Sequence, residues 1–254
     1  MTPTASISIT TYQHAHFIRQ CLASVLMQET TFPFEILLGE DDSTDGTREI
    51  CQEYADKHPD RIRLFLHKRE DNLEIHGRAT GRRNLVNNLQ QAKGKYIALL
   101  DGDDYWTDPT KLQRQFDVLE NDSEATGCFH DCEILNEETG TSRRRVGERE
   151  IDTRVDTQSL IRQNNIPTAS MFFRNVIDWH NPPDLFSDTI KADYLVALMV
   201  SQHGPWTYLD RLMSVYRVHP GGLWSGVESP HDNHQENVEF FAELAQWPEF
   251  QSLR

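Results

Sequence analysis

The chain has 254 residues, a formal net charge of −15 and a sequence pI of about 5.1, which excludes a general electrostatic attraction to nucleic acid or anionic lipid. No apolar run reaches the roughly 18 to 20 residues that span a bilayer, and the N-terminal MTPTASISIT lacks the regions of a signal peptide. Four scattered cysteines favour free thiols. We therefore expect a cytoplasmic protein without a transmembrane segment, and a peripheral contact with the inner face of the membrane stays open.

The first half of the chain alternates short apolar runs with amphipathic stretches. The apolar runs predict strands at 7–10, 34–39, 61–66 and 96–100. The stretches between and after them predict helices at 16–27, 47–58, 84–91 and 107–121. This alternation is typical of an α/β domain with a mostly parallel central sheet flanked by helices.

The second half is less regular. Residues 136–165 are polar and charged, which predicts an exposed excursion with few core residues. Order returns at 167–177, followed by a helix-like segment at 193–204 and a strand-like one at 212–218. An amphipathic helix is predicted within 234–247, and it could pack on a partner or on its own domain.

The stretch YIALLDGDDYW runs a buried strand directly into Asp101, Asp103 and Asp104. The carboxyl ends of parallel strands face the ligand crevice of an α/β protein. Carboxylates this close repel one another unless a cation is present, and their hard oxygens select Mg²⁺ or Mn²⁺. The alternative interpretation is an acidic turn that caps the next helix.

A second acidic turn, EILLGEDDSTDGT, favours the ligand interpretation. It carries another predicted strand into Glu40, Asp41 and Asp42. Two strand ends with acidic turns in one β-α unit are hard to attribute to capping alone.

Four segments together resemble the inverting family-2 glycosyltransferases of bacterial polysaccharide synthesis. They are ISITTYQHAHFIRQCLASVLMQ, FEILLGEDDSTDGTREI, GRRNLVNNLQQAKGKYIALLDGDDYW and YRVHPGGLWS. The resemblance implies a GT-A-like, Rossmann-related single domain over 1–228. Its nucleotide-binding half is 1–106, its acceptor-binding half is 107–228, and a C-terminal helical extension follows at 229–254.

The resemblance implies a nucleotide site at the first strand ends. The base would rest at the end of the first strand, accepting carboxylates would bind the base and the ribose, and an Arg-Asn pair would lie beside the nucleotide. The residues at these positions are Thr10, Tyr12, Asp41, Arg83, Asn84 and Asp101. Gln13 and Glu40 depart from the usual Asn and Asp of the family.

A divalent metal, Mn²⁺ or Mg²⁺, is implied at Asp103 and His219. The vicinity of the diphosphate or donor sugar is implied for Asp104, Trp106, Arg217, Trp224 and Ser225, with the two tryptophans as candidate stacking platforms. Asp193, at the start of a helix, matches the catalytic base, and the nearby Asp188 is its alternative.

The implied reaction moves a sugar from a nucleotide-diphosphate sugar, with UDP favoured, to a hydroxyl of a glycan, a glycolipid or another acceptor. The metal would stabilise the leaving diphosphate and the base would deprotonate the acceptor, so a single displacement inverts the anomeric carbon. Two alternatives are a catalytically inactive nucleotide- or sugar-binding module of the same fold and an aspartate-dependent phosphohydrolase.

Three other interpretations are not favoured. Cys128, His130 and Cys132 share one face of a strand at roughly 6.6 Å steps and converge poorly on zinc, so buried strand residues are expected there. The segment SRRRVGER is too short and too interrupted by acids for nucleic acid, and an anionic acceptor or lipid head group is the better interpretation if it has a role. No glycine-rich phosphate loop follows the first strand, which argues against a dinucleotide oxidoreductase or a P-loop enzyme.

Overall fold

Strands and helices alternate along the chain in the computed structural model, which describes residues 2–75, 78–146, 153–182, 186, 191–222, 238 and 240–246. The helices are α1 (Ile18–Leu26), α2 (Thr47–Lys57), α3 (Arg82–Gln91), α4 (Lys111–Asn121), α5 (Thr157–Arg162) and α6 (Ala192–Ser201). The strands are β1 (Ala5–Thr11), β2 (Phe34–Glu40), β3 (Ile62–Leu66), β4 (Glu74–Ile75), β5 (Arg78–Ala79), β6 (Tyr96–Asp101), β7 (Tyr105–Trp106), β8 (Gly127–Asn136), β9 (Ser142–Arg144), β10 (Arg154–Val155), β11 (Phe172–Arg174) and β12 (Trp206–Val218).

In the described part of the chain, ten strands form one sheet in the order β10-β12-β8-β11-β6-β1-β2-β3, with β7 beside β12 and β9 beside β8. Strands β6, β1, β2 and β3 are parallel, and β8 is parallel to β12. The antiparallel β11 lies between β6 and β8. The predicted α/β architecture with a mostly parallel sheet is confirmed.

The register of the central strands brings the two acidic turns together. Thr10 of β1 lies opposite Asp101 of β6, and Thr11 lies opposite Glu40 of β2. Three strands thus end side by side at one edge of the sheet, as expected for parallel strands joined by helices.

The core lies on both faces of the sheet, because successive side chains of a strand point to opposite faces. In β6, Ile97 and Leu99 pack with residues of α3, α5 and α6. Ala98 and Leu100 pack with residues of α1, α2 and α4. This double burial explains why the strand reads as a continuous apolar run.

The prediction for 136–165 is wrong in part. Strand β9 is exposed as expected, but the segment also contributes β10 and α5 to the domain. Val155 and Leu160 are buried in the core against α6. Two apolar residues in a polar stretch are enough to anchor it, and a composition count misses them.

The described end of the chain is helical at 240–244 and packs on the same domain. The ring of Phe240 lies 5.1 Å from that of Tyr194, and Leu244 joins the same core. Most of the predicted extension at 229–254 lies outside the described residues. Within the described ranges, no helix has the length and apolar character needed to cross a bilayer.

Candidate functional site

A cavity of about 880 Å³ opens at the carboxyl ends of β1, β2 and β6 and extends to β8, β9 and the start of α6. This is where ligands bind in open α/β sheets. The sequence-predicted residues that line it are Thr10, Tyr12, Asp41, Asn84, Asp101, Asp103, Asp193 and Arg217.

One corner of the cavity is formed around Asp41. Its carboxylate is buried and accepts hydrogen bonds from the Arg69 guanidinium and the Asn72 amide. Burial raises the pKa of Asp41 despite these two bonds. The Arg69 guanidinium also stacks 3.9 Å from the centre of the Tyr12 ring. No sequence motif pointed to Arg69 or Asn72.

Gln13, which stands where the family usually has Asn, makes local contacts in the structure. Gln13 has a left-handed backbone, with φ of 56°, a conformation that Asn adopts more readily than Gln. Its amide side chain bonds the backbone and hydroxyl of Thr44 at 3.0 and 3.1 Å. These bonds hold the loop after β1 against the loop after β2.

Asn84 and its neighbours differ in where they point. Asn84 is buried and donates to the Gly39 carbonyl over 2.7 Å, and a Cβ at Gly39 would lie only 1.6 Å from its Oδ1. Arg83 is exposed and donates to the Asp71 carbonyl over 3.1 Å, away from the cavity. Arg82 lines the cavity instead, and burial lowers its pKa to about 10. Of the two arginines, Arg82 and not the predicted Arg83 therefore lines the cavity.

Asp101 is partly buried at the end of β6. The Thr10 hydroxyl donates to its Oδ1 over 3.0 Å. Burial, together with the charges of Asp103 and Asp193, raises the pKa of Asp101 to about 7. Two further carboxylates therefore lie close enough to Asp101 to oppose its ionisation.

Asp103 meets two imidazoles. Its Oδ2 lies 3.1 Å from His219 Nε2 and 3.7 Å from His14 Nε2. Candidate ligand atoms of the three residues lie within 4.8 Å of one another. Burial lowers the pKa of His14, which favours the neutral imidazole that binds metals. Burial alone would raise the pKa of Asp103, but the hydrogen bond from His219 and the charges of both histidines lower it.

These residues fit a divalent cation, because one carboxylate oxygen and two imidazole nitrogens lie within 4.8 Å of one another and are donor types that divalent transition metals bind. Sequence reasoning named Asp103 and His219 but missed His14. The structural reason is position: His14 follows β1, which pairs with the strand that ends in Asp101.

The glycine between Asp101 and Asp103 is required by packing. A Cβ at Gly102 would lie 2.5 Å from Thr11 Oγ1 and 3.0 Å from His14 Nδ1. Thr11 Oγ1 is itself 3.2 Å from His14 Nδ1. The absence of a side chain at Gly102 thus lets the loop that carries His14 approach the acidic turn.

Asp104 is buried behind this turn. It does not line the cavity, contrary to its predicted place near the donor. It is 1% exposed, and its Oδ1 accepts the backbone N–H of Arg217 over 2.9 Å. The Arg217 guanidinium donates to the Asp103 carbonyl and, over 2.6 Å, to Glu137. Arg217 therefore fixes the backbone of Asp103.

Trp106 is a core residue, which contradicts its predicted role as a stacking platform. It is 1% exposed, its indole N–H donates to the Ala169 carbonyl over 2.8 Å, and the Lys111 ammonium lies 3.9 Å from its ring centre. Trp224 and Ser225, also predicted near the donor, lie outside the described residues.

Asp193 lies in the first turn of α6 and lines the cavity. The Thr168 hydroxyl donates to its Oδ2 over 2.6 Å, and the Tyr194 backbone N–H donates to its Oδ1 over 2.8 Å. The carboxylate is thus held in one orientation. Asp188, the predicted alternative, lies outside the described residues.

Residues 6–179 match the family model described as Glycosyl transferase family 2, which covers more than half of the chain. The chain belongs to glycosyl transferase family 2.

Similar sequences come from bacteria. The Mycobacterium tuberculosis protein Rv1520 is 32% identical over 219 residues, or 86% of this chain and 60% of the relative. The Escherichia coli protein WfgD, named as a UDP-Glc:alpha-D-GlcNAc-diphosphoundecaprenol beta-1,3-glucosyltransferase, is 36% identical over 114 residues, or 45% of this chain and 40% of WfgD. The chain therefore spans about three fifths of the length of its mycobacterial relative.

Solved structures show the fold. The mannosyltransferase PcManGT from Pyrobaculum calidifontis, in complex with GDP-Man and Mn²⁺, aligns with a TM-score of 0.66 at 18% identity, over 98% of this chain and 67% of its own. Staphylococcus aureus TarS 1-349, in complex with UDP-GlcNAc, aligns with a TM-score of 0.65 at 18% identity, over 96% and 67%. This family-2 glycosyltransferase thus has the expected GT-A fold.

Proposed function

We propose that this protein is a metal-dependent, inverting glycosyltransferase of the hexosyltransferase type. It transfers a sugar from a nucleotide-diphosphate sugar, with UDP favoured, to a hydroxyl of a glycan or lipid-linked acceptor in the cytoplasm. One observation carries the proposal. Asp103 and Asp193 lie on different elements and line one cavity, and two imidazoles lie beside Asp103.

The donor nucleotide binds at the end of the cavity formed by β1 and β2, in the half at 1–106. Tyr12 and the Arg69 guanidinium give the flat surfaces on which a base stacks. Asp41 keeps acceptor capacity for a base N–H, because a carboxylate offers about four lone-pair sites and two are used by Arg69 and Asn72. UDP is favoured by family resemblance; the two fold neighbours carry a UDP-sugar and a GDP-sugar.

Asp103, His14 and His219 would hold a divalent cation, Mn²⁺ or Mg²⁺. When bound, that cation supplies positive charge for the leaving diphosphate. Arg217 keeps the Asp103 backbone in place through its bond to the Asp103 carbonyl. The carboxylate and the two imidazoles are therefore arranged before any ligand arrives, which is the condition for effective electrostatic stabilisation.

Asp193 accepts the proton of the acceptor hydroxyl. The hydroxyl oxygen forms a bond to the anomeric carbon as the bond from that carbon to the diphosphate breaks, and the nucleoside diphosphate leaves with the electron pair. One displacement inverts the configuration, and no covalent enzyme intermediate is needed. General-base catalysis of this kind contributes on the order of 10² to 10⁴ in rate.

Calorimetric titration with UDP, GDP and dTDP, each with and without Mn²⁺, tests the donor part of the proposal. We expect one nucleotide to bind in a metal-dependent manner and Asp103→Asn to weaken that binding. Asp193→Asn should bind the nucleotide normally and lose turnover, measured as release of nucleoside diphosphate. Binding of none of the three nucleotides would refute the proposal.

Normal transfer by Asp193→Asn would refute the assigned base and direct attention to Asp188. Intact binding without turnover in the wild type, across a broad panel of donors and acceptors, would favour an inactive binding module. Trapping of beryllofluoride by the protein would favour an aspartate-dependent phosphohydrolase.

A further inference from the structure

Three consecutive arginines, 143 to 145, lie along β9 and just after it. Strand β9 pairs antiparallel with β8, with Arg143 opposite Ile134 and Arg144 opposite Glu133. Because successive side chains of a strand point to opposite faces, Arg143 and Arg145 share one face and Arg144 takes the other. The lining of the cavity agrees: it includes the first and third arginine and omits the second.

Arg144 has a structural role. Its guanidinium donates to the buried Asp131 over 2.8 Å and to Asp210 over 3.2 Å. Asp131 also accepts the backbone N–H groups of Cys132 and Val146. Arg144 therefore neutralises a carboxylate that fixes β9 to β8, and this interaction holds its two neighbours in place.

Within the part of the chain that the structure describes, Arg143 and Arg145 have no such partner. Among the described residues, no carboxylate forms an ion pair with either guanidinium, although the chain carries a net charge of −15. Both arginines line the cavity together with Cys132 and Ile134 of β8. Two unpaired guanidinium groups facing a cavity in an acidic protein favour an anionic ligand, because Arg binds phosphate with paired, charge-assisted hydrogen bonds.

The sheet order argues that this ligand is the acceptor. The nucleotide corner at Tyr12 and Asp41 lies at the ends of β1 and β2, on one side of β6. Arg143 lies on β9 and Arg145 just after it, beside β8 and so on the other side of β6, and Asp193 lines the same cavity. The donor and the arginines thus occupy opposite sides of the acidic turn.

We propose that Arg143 and Arg145 bind a phosphate or diphosphate group of the acceptor, close to the hydroxyl that receives the sugar. This inference rests on the proposed function. The acceptor phosphate is bound and not cleaved. Arg143 and Arg145 are two positions apart, about 6.6 Å along an extended backbone, so their guanidinium groups can contact a phosphate group from two sides.

The test uses protein loaded with UDP and Mn²⁺, so that the nucleotide site is occupied before the probe is added. The probes are n-butyl diphosphate and n-butyl phosphate. Pentanoate is the carboxylate control, and n-butyl glucoside is the uncharged control. Binding is measured by calorimetric titration of the wild type, of Arg143→Gln/Arg145→Gln and of Arg211→Gln. Arg211 is exposed and lies outside the cavity lining, so its replacement is a control for the loss of one positive charge away from the cavity.

We expect the wild type and Arg211→Gln to bind the phosphate probes about tenfold or more tightly than the glucoside, and the double variant to lose this difference. The double variant should keep its affinity for UDP and Mn²⁺. Equal binding of phosphate and glucoside by the wild type would overturn the proposal, as would preferred binding of pentanoate.

Weaker UDP binding by the double variant would also overturn the proposal, because the arginines would then serve the donor. Failure of the wild type to bind UDP at all is a different result, and it refutes the proposed function itself. The nucleotide titration, done first, separates the two cases.

Discussion

The imidazole rings of His14 and His219 meet edge to face, with centroids 6.2 Å apart, and both direct an Nε2 atom at the same oxygen of Asp103. One histidine follows the first strand and the other follows the last. The cluster therefore forms only when the first and the last of the described strands are both in place in the sheet, and its behaviour toward metals can be tested residue by residue.

Replacement of His14 by Ala should weaken metal binding. The variant removes one of three converging donors, and we expect the affinity for Mn²⁺ in the absence of nucleotide to fall on the order of 10- to 100-fold. Electron paramagnetic resonance of free Mn²⁺ measures this directly. His16→Ala is the control, because His16 is exposed and only two residues away. Equal affinities in all three proteins would exclude His14 as a ligand.

The same cluster should select among metals. Imidazole nitrogens favour transition ions, whereas Mg²⁺ prefers oxygen ligands. After treatment with EDTA, we expect Mn²⁺ to restore nucleotide binding at a concentration about tenfold or more below that of Mg²⁺. Titration of both ions into chelated protein checks this. In His14→Ala the advantage of Mn²⁺ should shrink, and an unchanged ratio would contradict the assignment.

Thr168→Val should lower turnover without lowering donor affinity. The Thr168 hydroxyl holds Asp193 through a bond of 2.6 Å, and Val removes the donor while keeping a similar side-chain volume. We expect kcat to fall on the order of tenfold, less than in Asp193→Asn, because the carboxylate remains but loses its fixed orientation. Steady-state kinetics and UDP titration measure the two effects. A loss of UDP affinity in Thr168→Val would instead indicate a general distortion of the cavity.

Lys111 gives a prediction on stability. It is fully buried beside Trp106, and burial lowers its pKa to about 7. Between pH 7 and about 10.5 the unfolded chain binds a proton at this lysine that the folded protein does not bind, so the free energy of unfolding of the wild type rises with pH over this range.

Lys111→Met lacks this rise. Relative to the wild type it should therefore be more stable at pH 6 than at pH 9, by about 2 to 3 kcal/mol. Urea denaturation of both proteins at the two pH values measures the difference. The lost hydrogen bond to Gln115 costs the same at both values and cancels. A difference that does not depend on pH would show that Lys111 is not the titrating group.

Much of the fold follows from local patterns. The runs that became β1, β2 and β6 are apolar because both faces of these strands are buried, and their carboxylates come where the strands end. Asp101, Asp103 and Asp193 line one cavity, and each lies at or near the end of a regular element.

Side-chain direction is what the sequence leaves open. Trp106 turns into the core because its indole N–H finds the Ala169 carbonyl, and nothing in the local pattern announces that contact. Arg82 and Arg83 differ by one position on a helix, which is 100° of rotation and decides which one reaches the cavity. Contacts between distant segments, such as His14 with Asp103, depend on the completed sheet.

The alternation of side chains along β9 assigns stabilisation of the strand and contact with the cavity to different residues. Arg144 secures the strand to the rest of the sheet, while its neighbours face the cavity without contributing an ion pair to the fold. Positions 143 and 145 can therefore change with little loss of stability. Relatives could exchange these two side chains and accommodate different partners on an unaltered scaffold.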